Sequence, residues 1–256
     1  MPQWDADLYL KFASQRGQAV RDLLNRIPLK NPQRIADLGC GPGNSTEVLR
    51  ARWPESFVMG LDNSPEMIGK ARQCRFEALW EIGDAANWTP SEPFDLVFSN
   101  AMLHWIPNHE TVCPHLLDQV APGGALAVQV PAHYDSPLHR EILEVSREAE
   151  WDGRMQKARQ ALTHHPPAFY YDLLAARAAR LDLWEVIYQH VLPGPEAVLE
   201  WFRGTGLRPY LEALASEEER RRFELLLLER YRATYPRRAD GAVLFPFRRL
   251  FFVAYR

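Results

Sequence analysis

Ile35-Ala36-Asp37-Leu38-Gly39-Cys40-Gly41-Pro42-Gly43-Asn44-Ser45-Thr46 carries an apolar run into an acid and then into three glycines at alternate positions. Such a pattern predicts a buried strand that hands a nearly bare backbone to a ligand before a helix begins. Glycine accepts positive φ there and lets a ligand approach the main chain without interference from Cβ. Dinucleotide folds space their glycines as G-x-G-x-x-G, with the pyrophosphate on the helix N-terminus. Here the spacing is G-x-G-x-G, and Asp37 stands two residues before Gly39. By itself the loop predicts an adenosine-bearing cofactor without identifying it.

Outward from this loop, short apolar runs near 34–38, 57–61, 76–82, 94–99 and 125–130 predict strands bounded by turn residues. Helical spacing covers 6–26, 44–52, 65–73 and 109–119, and Ser64-Pro65-Glu66 starts the third of these with an N-cap and a proline at N1. Alternating strands and helices imply an α/β fold with a parallel sheet covered on both faces. Ligands then bind at the carboxyl ends of the strands, near the switch in strand order.

Beyond residue 131 the alternation stops. Residues 137–150 and 166–179 have helical spacing, whereas 181–191 alternates as a strand and the final run 249–255 reads as another strand. The 193–246 stretch between those two strands is mostly helical and far exceeds a hairpin connection, an excess that is usually functional. The expected organisation is one domain over 1–256, with a core of about 30–131, 181–191 and 248–256. An N-terminal helix at 6–26 and a helical cap over about 132–180 and 193–246 complete it. Glu217-Glu218-Glu219-Arg220-Arg221-Arg222 reads as a solvated helical face whose acids precede cations by three or four residues.

A net charge of -3 gives no support to a nucleic-acid partner. Cys40, Cys74 and Cys113 are odd in number and irregularly spaced, so reduced thiols in the cytoplasm are expected, with no disulfide framework and no metal site. Met1-Pro2-Gln3-Trp4-Asp5 lacks the basic start and apolar stretch of a signal peptide. No apolar run reaches the length of a membrane span.

Three acids and amides extend the cofactor prediction. Asp62 ends the second strand, where a carboxylate accepts both hydroxyls of a ribose from NAD or from S-adenosylmethionine (SAM), or else caps the next helix. Asp84, in Gly83-Asp84-Ala85, is placed either to accept from an adenine amino group, with the Ala85 backbone donating to the ring, or simply to close a turn. Phe94-Asp95-Leu96-Val97 leads to Asn100, followed by His104 and Trp105. His104 reads as a packing residue in preference to the base of a phenol methyltransferase.

In that order, the Gly loop, Asp62, Gly-Asp-Ala, Phe-Asp-Leu-Val and Pro122-Gly123-Gly124 resemble the motifs of class I SAM methyltransferases across 34–130. SAM carries a sulfonium, which suits Asp37 and an aromatic face such as Trp105. The whole chain is similar to one family, the trans-aconitate 2-methyltransferases. The likeness begins with Trp4-Asp5, Tyr9-Leu10, Phe12 and Arg16, and continues through Arg52-Trp53-Pro54, Ser64-Pro65, Met67-Ile68, Asn87-Trp88 and Pro114-His115-Leu116. Past the core it includes Tyr170-Tyr171-Asp172, Trp184, Tyr188, Trp201, Leu207-Arg208-Pro209 and Arg249-Leu250-Phe251. Arg248 departs from the family's Phe-Pro-Arg-Leu-Phe and adds a cation.

This resemblance implies a Rossmann-like class I methyltransferase sheet, mostly parallel with the last strand antiparallel, and a helical cap inserted between the last two strands. It implies transfer of the SAM methyl to a carboxylate of a small tricarboxylate, leaving S-adenosylhomocysteine. Cofactor contacts would come from Asp37, Gly39, Cys40, Gly41, Asn44, Ser45, Asp62, Asn63, Met67, Asp84, Ala85, Asn100 and Trp105. Arg208 and Arg249 would bind the acceptor, with Arg16, Tyr170, Tyr188 and Trp201 behind them. Either arginine could instead pair with acids of the cap. No catalytic base is expected, because a carboxylate is already ionised at neutral pH. The protein is expected to be a monomer or weak homodimer. Rival acceptors are a malonyl thioester or a quinone; a SAM-binding module without turnover is the third alternative, and the missing G-x-G-x-x-G counts against a nicotinamide oxidoreductase.

Overall fold

The computed structural model of the chain describes residues 13–134 and 136–256, with side chains from Gly17 onward. The Trp4 to Phe12 pattern and the Arg16 side chain lie outside the described residues. Helix α1 (Ala13–Asn25) buries Ala19, Val20, Leu23 and Leu24. At its end, Arg52 donates from Nη1 to Leu24 O at 2.7 Å and from Nη2 to Ile27 O at 2.9 Å. A guanidinium there satisfies carbonyls that the helix leaves open.

Strands β1 (Arg34–Leu38), β2 (Phe57–Asp62), β3 (Leu79–Ile82), β4 (Phe94–Asn100) and β5 (Val120–Pro131) pair in parallel. Helices α2 (Asn44–Arg52), α3 (Pro65–Ala71) and α4 (His109–Asp118) lie between them in the chain. With β6 (Arg180–Leu192) and β7 (Val243–Tyr255), the sheet has seven strands in the order β3-β2-β1-β4-β5-β7-β6. β7 runs antiparallel to β5. The central strands β1 and β4 are apolar on both faces because both are covered, and Ile35 to Leu38 and Leu96 to Ser99 are buried. Strand order reverses between β1 and β4, which places a ligand crevice at their carboxyl ends.

Asp95 has a structural task in this frame. Its Oδ2 accepts from Gln33 N at 2.6 Å and Arg34 N at 3.0 Å, fixing the start of β1 beside β4.

Several boundaries differ from the sequence expectation. β5 starts at Val120, five residues before the expected Ala125. The Pro122-Gly123-Gly124 turn signal is absorbed because Gly123 N donates to Arg256 O at 2.7 Å and Arg256 N to Gly124 O at 3.1 Å. β7 starts at Val243, so 243–248 extend the last strand and are not part of the helical stretch. β3 is confined to Leu79–Ile82, and Phe76 instead packs edge-on against Trp80 at 5.8 Å. The expected 137–150 and 166–179 helices are shorter, as α5 (Pro137–Ser146) and α7 (Pro167–Leu174), and a further helix, α6 (Asp152–Arg159), occupies the connection after α5.

The chain divides into two compact units. One comprises Arg16–Pro131, His165–Glu185 and Arg249–Arg256 and holds most of the sheet. The other comprises Ala132–His164 and Val186–Arg248, and has its own apolar core around Trp151, Trp201, Phe202, Phe223, Tyr231 and Phe245. In it lie α5, α6, α8 (Pro195–Arg203), α9 (Arg208–Glu212) and α10 (Glu217–Thr234). Ser216 caps α10 by accepting from Glu219 N at 3.1 Å. The charge run at its start does more than face solvent: Glu219 pairs with Arg154 at 2.8 Å and Arg222 with Glu150 at 2.6 Å, tying α10 to the α6 region. At such exposure solvent screens each pair, so they orient the helices more than they stabilise them. No helix among the described residues is long and apolar enough to cross a membrane.

Candidate active site

The loop after β1 is built as its glycines require. Gly39, Gly41 and Gly43 have φ of 73°, 55° and 99°. Gly39 N and Cys40 N both donate to Leu61 O, at 2.7 and 3.0 Å, which binds the loop to the end of β2. A Cβ on Gly39 would lie 2.1 Å from Met102 Cγ, whereas one on Gly41 would meet nothing. Gly39 is thus needed for packing, and Gly41 presents bare backbone to open space.

Asp37 is fully buried at the end of β1. Its Oδ2 accepts from Ser45 Oγ at 2.7 Å and Thr46 Oγ1 at 2.6 Å, the first residues of α2. Burial pushes the carboxyl up to about 6, against the two hydroxyls that hold it down. Its Oδ1 is buried and meets no donor among the described residues. Cys40 is buried beside it, and burial near Asp37 and Asp62 raises its thiol, making it an unreactive packing group.

Asp62 is held at the end of β2 by two backbone donors, Gly41 N to Oδ2 and Ser64 N to Oδ1, each at 2.9 Å. Burial nevertheless raises its carboxyl. A carboxylate has about four lone-pair sites, so each oxygen keeps capacity for a hydroxyl. Asn63 is exposed beside it, and Met67 is buried at the start of α3. After β3, Asp84 is exposed and accepts from Ala86 N at 2.9 Å, closing an Asx turn over the buried Ala85. Asn44 is exposed at the start of α2.

Cross-strand register sets the rest. Asp37 pairs with Phe98, Asn100 with Gln129, and Gln129 with Phe251. Side chains repeat a face every second residue, so Asp37, Asn100, Gln129 and Arg249 share one face of the sheet. Asn100 Oδ1 is buried with no donor among the described residues. Arg249 is 3% exposed and donates from Nη1 to Gln129 Oε1 at 3.0 Å. The β1–β4 end of this face therefore carries acceptors and suits a cationic ligand, while the β5–β7 end carries donors and suits an anion.

Trp105 is half-buried in the short 3-10 turn (Leu103–Trp105) after β4, its ring 5.2 Å from that of His104. Tyr170, on α7, is in the core: its hydroxyl bonds His109 Nδ1 at 2.8 Å, and its ring stacks on Phe252 at 5.0 Å. His109 Nε2 donates to Leu103 O at 2.9 Å, which leaves Nδ1 to accept from the tyrosine. Phe252 lies on the opposite face from Phe251 and Arg249, so the fold does not bring Tyr170 to Arg249.

The remaining candidates belong to the second unit. Arg208 begins α9 and pairs with Glu212 at 3.5 Å, its side chain 14% exposed. Tyr188 and Trp201 meet at His190, with ring distances of 6.0 and 4.7 Å. Trp201 also packs on Phe245 and Phe247 in the core. Arg248 lies over the Tyr134 ring at 5.7 Å. Among the described residues no group of acids, histidines and cysteines has the geometry to hold a metal.

Two residues that bond to members of this site were missed by motif reading, Thr46 on α2 and Gln129 on the sheet face. Thr46 was hidden as one more small residue of the loop. Gln129 had a visible signal, as the one polar residue in Ala125-Leu126-Ala127-Val128-Gln129-Val130.

The chain matches the family described as "Methyltransferase domain" over residues 12–211. It is 48% identical to a trans-aconitate 2-methyltransferase of Azoarcus sp. (strain BH72), over all of both chains. To the protein of that name from Methylobacterium nodulans it is 45% identical, over 100% of this chain and 99% of the other. Among solved structures it resembles phosphoethanolamine N-methyltransferase 2 of Haemonchus contortus in complex with SAM, at a TM-score of 0.57 and 16% identity, covering 93% of this chain and 52% of that one. That likeness carries the fold; identity along the full length carries the family. The chain belongs to the trans-aconitate 2-methyltransferases.

Proposed function

We propose that this protein esterifies a carboxylate of trans-aconitate, or of a closely related small tricarboxylate, with the methyl group of SAM. The names of its full-length relatives support the reaction. The observation that favours a polyanionic acceptor is Arg249, a buried guanidinium hydrogen-bonded to an amide at the carboxyl ends of the strands.

The residues fit SAM. Gly41 offers open backbone, Asp62 keeps acceptor capacity for ribose hydroxyls, and Asp37 Oδ1 and Asn100 Oδ1 are buried acceptors awaiting a donor. Gly39, Cys40, Asn44, Ser45, Asn63, Met67, Asp84, Ala85 and Trp105 complete the proposed cofactor set. When bound, SAM supplies an electrophilic methyl on a sulfonium.

The chain's own contribution is positioning. An ionised carboxylate needs no base, and fixing two reactants in line is worth on the order of 7–11 kcal/mol. Water exclusion adds to this, because a hydrated carboxylate is a poor nucleophile. Arg249 would bind a carboxylate that is not methylated. Arg16, Arg208, Tyr188 and Trp201 stand as acceptor candidates to be ranked by substitution. The protein is read as a cytoplasmic monomer or weak homodimer without a nucleic-acid partner.

Incubation with methyl-labelled SAM and a panel of small polycarboxylates tests the proposal. A monomethyl ester from trans-aconitate is expected. Absence of ester from every tricarboxylate, with turnover of a malonyl thioester or quinone, would transfer the chain to another acceptor class.

A further inference from the structure

Gln129 is completely buried, and its side chain is only half used. Arginine is a donor only, so the oxygen of the amide must face Arg249 Nη1, as the 3.0 Å contact has it. This fixes Nε2 at the other end of the amide. Nε2 carries two N–H groups, and neither meets an acceptor among the described residues. A buried donor left unmade is costly, and an apolar side chain would fill a strand position without that cost. Retaining an amide here therefore calls for a ligand that accepts.

Position tells what kind of ligand. Gln129 stands in register with Asn100 on β4 and Phe251 on β7. Arg249 is two residues from Phe251 on the same face, opposite Pro131 and so nearer the carboxyl ends of β4 and β5. A guanidinium and an amide N–H tied together in this way offer donors to the two oxygens of one carboxylate. A quinone carbonyl presents one oxygen to such a pair, whereas a carboxylate presents two.

We infer that Gln129 is a specificity-determining residue: its Oε1 orients Arg249, and its Nε2 donates to a carboxylate of the acceptor. The inference rests on the proposed function and deepens it.

The test uses Gln129→Glu and Gln129→Met in the full-length chain. Gln129→Glu keeps an oxygen for Arg249 and replaces the donor with an anionic acceptor. Its KM for trans-aconitate is expected to rise about 10- to 100-fold, the scale of a buried charge-assisted bond. The kcat and the affinity for S-adenosylhomocysteine are expected to stay close to the wild-type values. Gln129→Met, similar in volume and apolar, loses both roles and is expected to raise KM with S-adenosylhomocysteine affinity preserved and the melting temperature only modestly lowered, because buried Arg249 loses one acceptor. Trans-aconitate binding to the S-adenosylhomocysteine complex, followed by calorimetry, gives the same ranking without turnover. An unchanged KM and unchanged acceptor binding in both variants overturn the assignment while leaving the wild-type reaction intact. Loss of cofactor binding and melting temperature in parallel with KM also overturns it, making Gln129 structural. Failure of the wild-type protein to bind or methylate any tricarboxylate overturns the proposed function itself.

Discussion

Thr46 Oγ1 donates to Asp37 Oδ2 at 2.6 Å in a place where neither residue is exposed. Ser45 adds a second hydroxyl to the same oxygen, so that one side of the carboxylate is saturated and the other is free for a ligand. The first turn of α2 thus serves as a hydrogen-bonding clamp on the last turn-facing acid of β1.

Asp37 makes stability depend on pH in an unusual direction. Its carboxyl, raised from 3.8 to about 6 by burial, ionises later in the folded chain than in the unfolded one. The stability tied to this group is full below about pH 4 and is lost as pH rises through about 6, because the unfolded chain releases the proton first. At 1.36 kcal/mol per unit the effect is about 3 kcal/mol. Asp37→Asn should flatten that decline in urea titrations of the ligand-free protein and weaken SAM binding by about tenfold or more. An unaltered pH profile would place the proton elsewhere.

Gly39 and Gly41 separate packing from ligand access. Gly39→Ala puts a methyl 2.1 Å from Met102 Cγ at φ 73° and should lower stability by about 1–3 kcal/mol. Gly41→Ala meets no neighbour, so its left-handed backbone should cost about 1–2 kcal/mol while S-adenosylhomocysteine binding falls much further. Thermal melts with and without that ligand measure both. Equal ligand-induced stabilisation in Gly41→Ala and wild type would move the cofactor away from this loop.

Tyr170→Phe tests whether the hydroxyl serves the core or the acceptor. Removing its bond to the buried His109 nitrogen should destabilise the chain by about 1–3 kcal/mol. The KM for trans-aconitate should stay put. A raised KM at full stability would return Tyr170 to the acceptor site.

Arg249→Ala should raise the acceptor KM with S-adenosylhomocysteine affinity nearly intact, at about 1.5–3 kcal/mol for a charged hydrogen bond. Isothermal titration with each ligand checks the split, and equal losses of both would make Arg249 a structural residue.

Much of this architecture is legible in local pattern. The apolar runs of β1, β2 and β4 and the Ser64-Pro65 start of α3 stand where periodicity and capping place them, and Ser64 Oγ accepts from Met67 N at 3.3 Å. The boundaries that moved were decided by partners far along the chain. Pro122-Gly123-Gly124 has the composition of a loop, yet the C-terminal residues pair with it and prolong β5. The 243–248 stretch, expected within the helical segment, continues β7, which lies between β5 and β6 in the sheet.

Local pattern determined the parallel α/β order and the acids at the ends of β1 and β2, because these depend on residues close together in sequence, while the family rests on likeness along the whole chain. The three glycines were recognisable there too, but only the fold separated their tasks, giving Gly39 to packing and Gly41 to open space. Tertiary structure likewise decided that Tyr170 and Arg249 lie on opposite faces and that Gln129 meets Arg249 across 120 positions. The physical reason is the pleat. A side chain's face follows from the register of its strand against its neighbours, and that register is set by pairing across the sheet.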